Sequence, residues 1–146
     1  MQQLVVFSLA GEHYGLPITQ VQEIIRYRAP RSVPSPAASI RGVINLRDRI
    51  IPICDLQREL GLTATGERDD STGKIVIIET AVGTVGLMVD SVDQVMTVED
   101  EQVEPGAGSQ QEYVSGIAKI GSDLVILLQP DALADSIGLA LTELAA

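Results

Sequence analysis

The chain has 146 residues, 45% of them hydrophobic, and a formal net charge of −10. This length suits one compact domain or two small ones. The negative charge argues against binding to nucleic acid, whose phosphates require lysine and arginine, and against direct contact with an anionic membrane surface. The hydrophobic residues are mainly Val, Ile, Leu and Ala, with only 3% aromatics, and the β-branched bias favours strands.

The first half of the chain is predicted to form short strands and one short helix. The predicted strands are Leu4–Leu9, His13–Ile18, Val21–Tyr27, Gly42–Leu46 and Ile50–Cys54. The third alternates less cleanly, so a short helix is a competing prediction. Three prolines predict a linker over Arg28–Ala38, ending in a helical turn near Ala37–Ser39. Asp55–Leu60 is predicted as a helix capped by Asp55, with Gly61 just beyond its end.

The second half follows the same order after a polar boundary at Thr63–Gly73. Its predicted strands are Lys74–Thr80, Thr84–Val89, Gln94–Val98, Val114–Ile120 and Leu124–Leu128. The linker Glu99–Gln111 concentrates acidic residues between Glu99 and Glu104, and we expect it to be a solvated loop. Pro130 opens a predicted terminal helix, Asp131–Leu144, with apolar residues at helical spacing.

The two halves form an internal repeat. Val5–Ile25 aligns with Val76–Met96 at a separation of 71 residues, and Ile40–Leu56 aligns with Val114–Pro130 at a separation of 74. Such self-similarity indicates one fold unit used twice. Five short strands per copy predict two small β-barrels, about 4–62 and about 74–130, within a single domain. Because a unit of half this length buries only ~60% of its surface, we expect the copies to pack together with a groove between them.

Glycines recur at matched positions of the two copies. Gly15 aligns with Gly86, and Gly42 aligns with Gly116. Recurrence in both copies predicts strand positions where another backbone passes close by, or where the strand is bulged.

The sequence offers few groups for catalysis or metal binding. His13 is the single histidine and is predicted to face solvent on a hairpin. Cys54 is the single cysteine, so no intrachain disulfide is expected, and its apolar surroundings predict a buried thiol. Gly106-Ala-Gly108 is only a weak echo of a phosphate-binding loop. We therefore predict no enzymatic activity, no metal and no cofactor. Without a basic leader or a long apolar run, the predicted location is cytoplasmic.

Two charged residues occur in the first copy only. Glu23 aligns with Gln94, and Arg47 aligns with Gly121, so neither charge is required by the shared fold. They are either solvated surface charges or contacts in a binding site. If they meet across the first barrel, they would form an ion pair, for which arginine offers a bidentate fork.

One segment carries a specific motif. Gly42–Leu56 reads Gly-Val-Ile-Asn-Leu-Arg, a short turn, Ile-Ile-Pro and then Asp-Leu, and it closely resembles the signature of the chemotaxis coupling proteins of the CheW family. Further matches follow in order along the chain: Tyr14–Leu16 with Val21–Ile25, Val85–Asp90 with Val95, Glu101–Pro105, and Tyr113–Ile117. The resemblance covers the chain from about Leu4 to about Leu133.

The resemblance implies a mainly β fold of two five-stranded SH3-like barrels with a short C-terminal helix. It implies a non-enzymatic adaptor that links the cytoplasmic tip of a methyl-accepting chemoreceptor to the histidine kinase CheA, whose regulatory domain has the same fold. Such an adaptor lies beneath membrane receptor arrays. The receptor's helical hairpin would dock in the groove between the barrels.

The resemblance also supplies candidate contact residues. The receptor-groove candidates are Val21, Glu23, Ile24, Arg47, Val89 and Val95. The kinase-binding candidates are Arg41, Gly42 and Ile51.

One departure from the family pattern and two alternative functions remain. Asp48 stands where the family usually has glycine after Arg47; aspartate tolerates left-handed geometry, so we expect the turn to survive.

The chain could instead be the regulatory module of a chemotaxis kinase or of a receiver-fused coupling protein. A small-ligand-binding domain is a further alternative, which a polar-lined pocket with a perturbed carboxylate would favour.

Overall fold

The computed structural model describes residues 1–34, 38–62, 70–105 and 113–137. Its strands are β1 (Gln2–Leu9), β2 (Glu12–Pro17), β3 (Val21–Arg26), β4 (Ile40–Leu46), β5 (Arg49–Asp55), β6 (Lys74–Thr80), β7 (Gly83–Val89), β8 (Ser91–Val98), β9 (Val103–Glu104), β10 (Val114–Ile120) and β11 (Asp123–Leu128). Its helices are α1 (Leu56–Glu59) and α2 (Pro130–Ile137), with 3-10 turns at Ile18–Gln20, Asp70–Thr72 and Asp100–Gln102. This mainly β architecture with a short C-terminal helix confirms the predicted fold class.

The strands form two sheets that each draw on both sequence copies. The six-strand sheet has the order β8-β1-β2-β11-β10-β9, and the five-strand sheet has the order β3-β6-β7-β5-β4. The hairpin β1–β2 of the first copy therefore lies among strands of the second, and β6–β7 lies among strands of the first. Parallel pairs, β2 with β11 and β5 with β7, join each exchanged hairpin to its host. This differs from the expectation that each copy closes its own barrel.

The buried apolar side chains of the described residues form three cores. One lies inside each sheet, and a third, central core lies between them and contains residues of both. Strand β6 shows how one sequence serves two cores: Ile75 and Ile77 belong to the five-strand interior, whereas Val76 and Ile78 belong to the central core. Because both faces of this strand are buried, it reads as an unbroken apolar run. The two halves are thus held together by a shared core, as expected from their size.

The helices begin where the sequence predicts. The Asp55 side chain caps α1 by accepting a hydrogen bond from the backbone of Arg58, and Gly61 follows with φ of +70°. Helix α2 begins at Pro130 and buries Leu133, Ala134 and Ile137 in the central core.

Several other predictions are decided by the described residues. The third predicted segment is the strand β3, so the competing short helix is wrong. The acidic linker is not wholly loop, because it contains a 3-10 turn and β9. Parts of the predictions at 35–37, 63–69, 106–112 and 138–144 lie outside the described residues. The first range holds the start of the helical turn predicted near 37–39, and the second holds most of the polar boundary. The third holds the Gly106-Ala-Gly108 segment and the end of the acidic linker, and the fourth holds the last turns of the predicted terminal helix.

The repeated glycines have two different causes. A Cβ at Gly42 would lie 2.1 Å from the carbonyl oxygen of Arg31, and one at Gly116 would lie 2.9 Å from that of Glu104. Both glycines also lie at register shifts, so the predicted close backbone and bulge are confirmed for this pair. Gly15 and Gly86 instead face crowded side chains inside the two sheets, which corrects the prediction for them.

Candidate functional site

A polar rim closes one end of the five-strand sheet. We call it the five-strand rim, and its members are Glu23, Glu79, Thr84, Arg49 and Arg47. The first four come from β3, β6, β7 and β5, and the fifth lies in the turn between β4 and β5, which is also the order of the strands across the sheet. Since strand side chains alternate, the four strand residues share a face with the apolar interior beneath them, which includes Ile51, Ile77 and Met88.

The ion pair between Glu23 and Arg47 joins the first and last members of this rim. Nη1 of Arg47 donates to Oε1 of Glu23 at 2.5 Å. Glu23 lies on β3 and Arg47 directly follows β4. These strands are the two edges of the sheet, so the two charges meet across its open side, which is the condition under which the sequence predicts an ion pair. The Glu23 side chain is 22% exposed and that of Arg47 is 75% exposed. A largely covered carboxylate thus holds an arginine that remains available to solvent.

Arg47 occupies backbone geometry that favours glycine. Arg47 and Asp48 form a two-residue turn with φ of +52° and +65°, typical of the tight type I′ turn that suits β-hairpins. The survival of the turn with Asp48 is confirmed. The left-handed geometry at Arg47 itself was not foreseen, and it costs about 1–2 kcal/mol in a residue with a side chain. Its counterpart, Gly121, has φ of +63° without that cost.

Further contacts hold this turn on both sides. Before it, Nη1 of Arg28 donates to the carbonyl oxygen of Asn45 at 3.0 Å. After it, Nη2 of Arg49 donates to Oγ1 of Thr84 at 2.7 Å and lies 3.6 Å from the Glu79 carboxylate. The Thr84 hydroxyl donates in turn to Glu79. Sequence reasoning missed this network because its residues are adjacent only across the folded sheet.

The apolar groove candidates do not share one environment. Val89 belongs to the central core and is 4% exposed, so its side chain offers almost no surface to a partner. Val21 is partly buried against the same core. Ile24 and Val95 are exposed, Val95 at 54%. Of the four, Ile24 and Val95 offer the most surface to a partner.

The kinase-binding candidates divide similarly. Ile51 is 2% exposed inside the five-strand sheet, and Gly42 is buried beneath the Arg31 backbone, so neither presents a side chain to a partner. Arg41 is exposed and pairs with Asp55 at 3.3 Å. Sequence reasoning missed Ile50, which is 62% exposed. The Ile-Ile-Pro-Ile run shows no alternation that would mark Ile50 as exposed, because β5 is buried on both faces from Ile51 onward.

A pocket of about 440 Å³ lies beside this exposed isoleucine. Arg28, Arg31, Val43 and Ile50 contribute to its lining. Burial raises the pKa values of Tyr14, Cys54 and Tyr113, and these groups lie in the central core, away from this pocket. No aspartate or glutamate is among the described residues that line this pocket, so it lacks the carboxylate that would favour a ligand-binding or catalytic site.

The two reactive groups singled out in the sequence, Cys54 and His13, are not placed for nucleophilic catalysis. Cys54 is fully buried, as predicted, and burial raises the pKa of its thiol, which keeps it protonated and unreactive. His13 is partly exposed on its hairpin and lies 3.5 Å from Asp93, which also accepts a hydrogen bond from Ser8. The serine hydroxyl thus contacts the carboxylate, not the imidazole that would activate it. No group of three potential metal ligands occurs in the part of the chain that the structure describes.

No helix among the described residues is long and apolar enough to cross a membrane.

Comparisons with known proteins agree with the motif and the fold. The family model for the CheW-like domain matches residues 3–138. The chain is 34% identical over 132 residues to the chemotaxis protein CheW of Treponema pallidum, covering 86% of this chain and 78% of that protein. It is 30% identical over 146 residues to the chemotaxis protein CheW of Klebsiella aerogenes, covering 97% and 87% respectively.

A solved structure is also similar throughout. The crystal structure of the scaffolding protein TtCheW from Thermoanaerobacter tengcongensis superposes with a TM-score of 0.83 at 33% identity, covering 95% of this chain and 96% of that one. Sequence motif, family model and backbone thus agree over nearly the whole length, and the chain belongs to the CheW-like family.

Proposed function

We propose that this protein is a non-enzymatic adaptor that couples chemoreceptors to the histidine kinase CheA in a chemosensory array. The Glu23–Arg47 ion pair is the observation that carries this proposal. It exists in one copy of a duplicated fold, it uses a backbone position that suits glycine better, and it leaves a guanidinium exposed. Strain that persists at one exposed site favours a functional role for that site.

The receptor's helical hairpin would dock beside this pair. Helix-in-groove recognition needs exposed apolar side chains and a few polar groups that fix orientation. Ile24 lies next to Glu23 on β3 and is exposed, and Val95 is exposed on β8. We assign the apolar contacts to these two residues, with Val21 at their edge, and the orienting contact to Arg47.

The regulatory domain of CheA would bind a separate surface of the five-strand sheet. Arg41 provides an exposed charge held by Asp55, and Ile50 provides an exposed apolar side chain. Binding two partners through two surfaces makes the adaptor a coupling element, in which each partner alters affinity for the other by the same factor. The protein would therefore work from the cytoplasmic side of the receptor array.

Co-sedimentation tests this proposal directly. The wild-type protein should sediment with a receptor signalling fragment and with CheA, separately and together. Arg47→Glu should weaken receptor binding by about tenfold or more, because it places like charges at Glu23 and removes the exposed cation. The melting temperature should stay near that of wild type, because the turn is exposed. Arg58→Glu, which reverses an exposed charge on α1, is the matched control.

A charge swap refines the assignment. If the ion pair serves only the fold of the rim, Glu23→Arg combined with Arg47→Glu should restore receptor binding. If Arg47 contacts the receptor, the swapped protein should remain defective. Wild-type coupling by Arg47→Glu in a reconstituted receptor–kinase assay would exclude Arg47 from the site. Failure of the folded wild-type protein to bind either partner would overturn the adaptor proposal.

A further inference from the structure

The turn that presents Arg47 needs support that the backbone alone does not supply. Arg47 and Asp48 both hold left-handed geometry there, which aspartate tolerates but which is unfavourable for arginine. Arg49 follows the turn directly and pairs with Leu46 across the hairpin. Whatever fixes Arg49 therefore fixes the end of the turn to which Arg47 belongs.

Arg49 is fixed to a different strand pair from the one that holds Arg47. Its guanidinium donates to the Thr84 hydroxyl on β7 and lies near the Glu79 carboxylate on β6. Thr84 and Glu79 are direct cross-strand partners in the β6–β7 hairpin. The two arginines of the rim thus each have their own acid, Glu23 for Arg47 and Glu79 for Arg49. Because Arg49 pairs with Glu79, it does not compete with Arg47 for the Glu23 carboxylate.

The shared fold does not require this network. The counterparts of Arg49, Thr84 and Glu79 in the repeat are Asp123, His13 and Ser8. An arginine is replaced there by a carboxylate, and the threonine and glutamate are not retained. As with Glu23 and Arg47, this network is present at only one of two equivalent ends, so we assign it a role other than folding.

We propose that Arg49, held by Thr84 and Glu79, is a positioning residue that orients Arg47 for receptor coupling. This inference rests on the proposed function for its binding consequence, but the geometry it asserts is testable without any partner. Arg49 acts through the turn, by holding its last residue against β7, and Arg28 holds the preceding strand through the carbonyl of Asn45.

Thr84→Val tests the network with little risk to the fold, because valine matches threonine in shape and favours strands. The Nε–H signal of Arg47 in a ¹H–¹⁵N spectrum should be that of an ordered side chain in wild type and of a mobile one in Thr84→Val. Thr84→Ser, which keeps the hydroxyl, should behave as wild type. Equal mobility of Arg47 in all three proteins would overturn the proposal.

Binding to a receptor signalling fragment supplies the second readout. Thr84→Val and Arg49→Ala should each weaken binding about two- to fivefold, the range expected from exposed ion pairs and their hydrogen bonds. Arg49→Lys should recover part of the loss. Differences in melting temperature among these variants should not parallel their differences in receptor binding. The double variant should lose less than the product of the single effects, because both changes break one network.

The outcomes separate this inference from the proposed function. If wild type binds the fragment, Arg47→Glu does not and Thr84→Val binds as wild type, the positioning role is wrong and the adaptor role stands. If wild type does not bind but Arg47 becomes mobile in Thr84→Val, the network positions Arg47 and the receptor assignment is wrong.

Discussion

The same five positions carry different chemistry at the ends of the two sheets. In the five-strand rim they are Glu23, Glu79, Thr84, Arg49 and Arg47. Their counterparts in the six-strand sheet are Gln94, Ser8, His13, Asp123 and Gly121. The first set has two cations and two carboxylates joined across the sheet. At the other end, Ser8 and His13 instead meet Asp93.

This difference shows which features belong to the fold and which to the site. Both ends keep a tight turn and the same strand alternation beneath it. In the five-strand rim, Arg47 holds left-handed geometry at an energetic cost, whereas Gly121 at the other end adopts it without strain. The duplicated fold thus serves as its own control, and substitutions that exchange features between the ends test the comparison.

The largest effect on stability is expected from a comparison of two apolar candidates, Val89 in the central core and Val95 on the surface. Val89→Asp should destabilise the protein by about 4 kcal/mol or more, because it buries an unpaired carboxylate in the central core. Val95→Asp should change the free energy of unfolding by less than about 1 kcal/mol, because that side chain is exposed, and should weaken receptor binding instead. Urea unfolding followed by circular dichroism measures both. Equal stability of the two variants would remove the distinction between core and groove.

The glycines at the bulges should respond unequally. Gly42→Ala should cost about 3 kcal/mol, because its Cβ would meet the Arg31 carbonyl and its φ of +149° disfavours a side chain. Gly116→Ala should cost about 1–2 kcal/mol, because its contact with the Glu104 carbonyl is longer and it lacks the positive φ. Chemical denaturation of both proteins provides the comparison, and a greater loss for Gly116→Ala would contradict it.

Grafting the arginine into the second turn should reproduce the strain without its compensation. Gly121→Arg should destabilise the protein by about 1–2 kcal/mol, the cost of left-handed geometry in a residue with a side chain. Adding Gln94→Glu should recover part of this loss by supplying the acid that the first copy has in Glu23. Thermal unfolding measures both steps. No loss on Gly121→Arg would mean that Arg47 is not strained.

The smallest effect is expected beside Arg47. Asp48→Gly should stabilise the protein by about 0.5 kcal/mol, because its φ of +65° suits glycine and aspartate already tolerates it. Asp48→Ala, which has no side-chain hydrogen bond to favour this geometry, should destabilise it. If Asp48→Ala proves more stable than Asp48→Gly in denaturant midpoints, the positive φ does not disfavour a side chain at this position. If both variants are less stable than wild type, the Asp48 side chain makes a contact that outweighs the backbone preference.

Much of the local structure follows from nearby residues. Strand segments, the cap at Asp55 and the helix start at Pro130 follow from patterns within a few positions of the chain, whereas the bulge glycines were predicted from their recurrence in the two copies. Glu23 and Arg47 were singled out because their counterparts in the repeat carry no charge, but only the tertiary structure decided that they meet. The left-handed φ at Arg47 was not, because arginine carries no sequence signal for that geometry.

Which side of a strand faces a partner could not be read from the apolar runs. Val89 and Val95 look alike in sequence, as do Ile50 and Ile51, yet one of each pair is buried and one exposed. A strand with both faces covered lacks the alternation that would reveal its orientation. Only packing against the other strands separates core from surface.

The sequence by itself determined the duplication, the strands within each copy and the two charges that break the symmetry. The tertiary structure decided that the hairpins β1–β2 and β6–β7 are exchanged between the sheets, and that Arg49 meets Thr84 and Glu79. Periodicity reports the local conformation of a strand and which of its residues share a face. It does not report which distant strand satisfies its backbone hydrogen bonds, because that depends on the whole chain closing around its shared core.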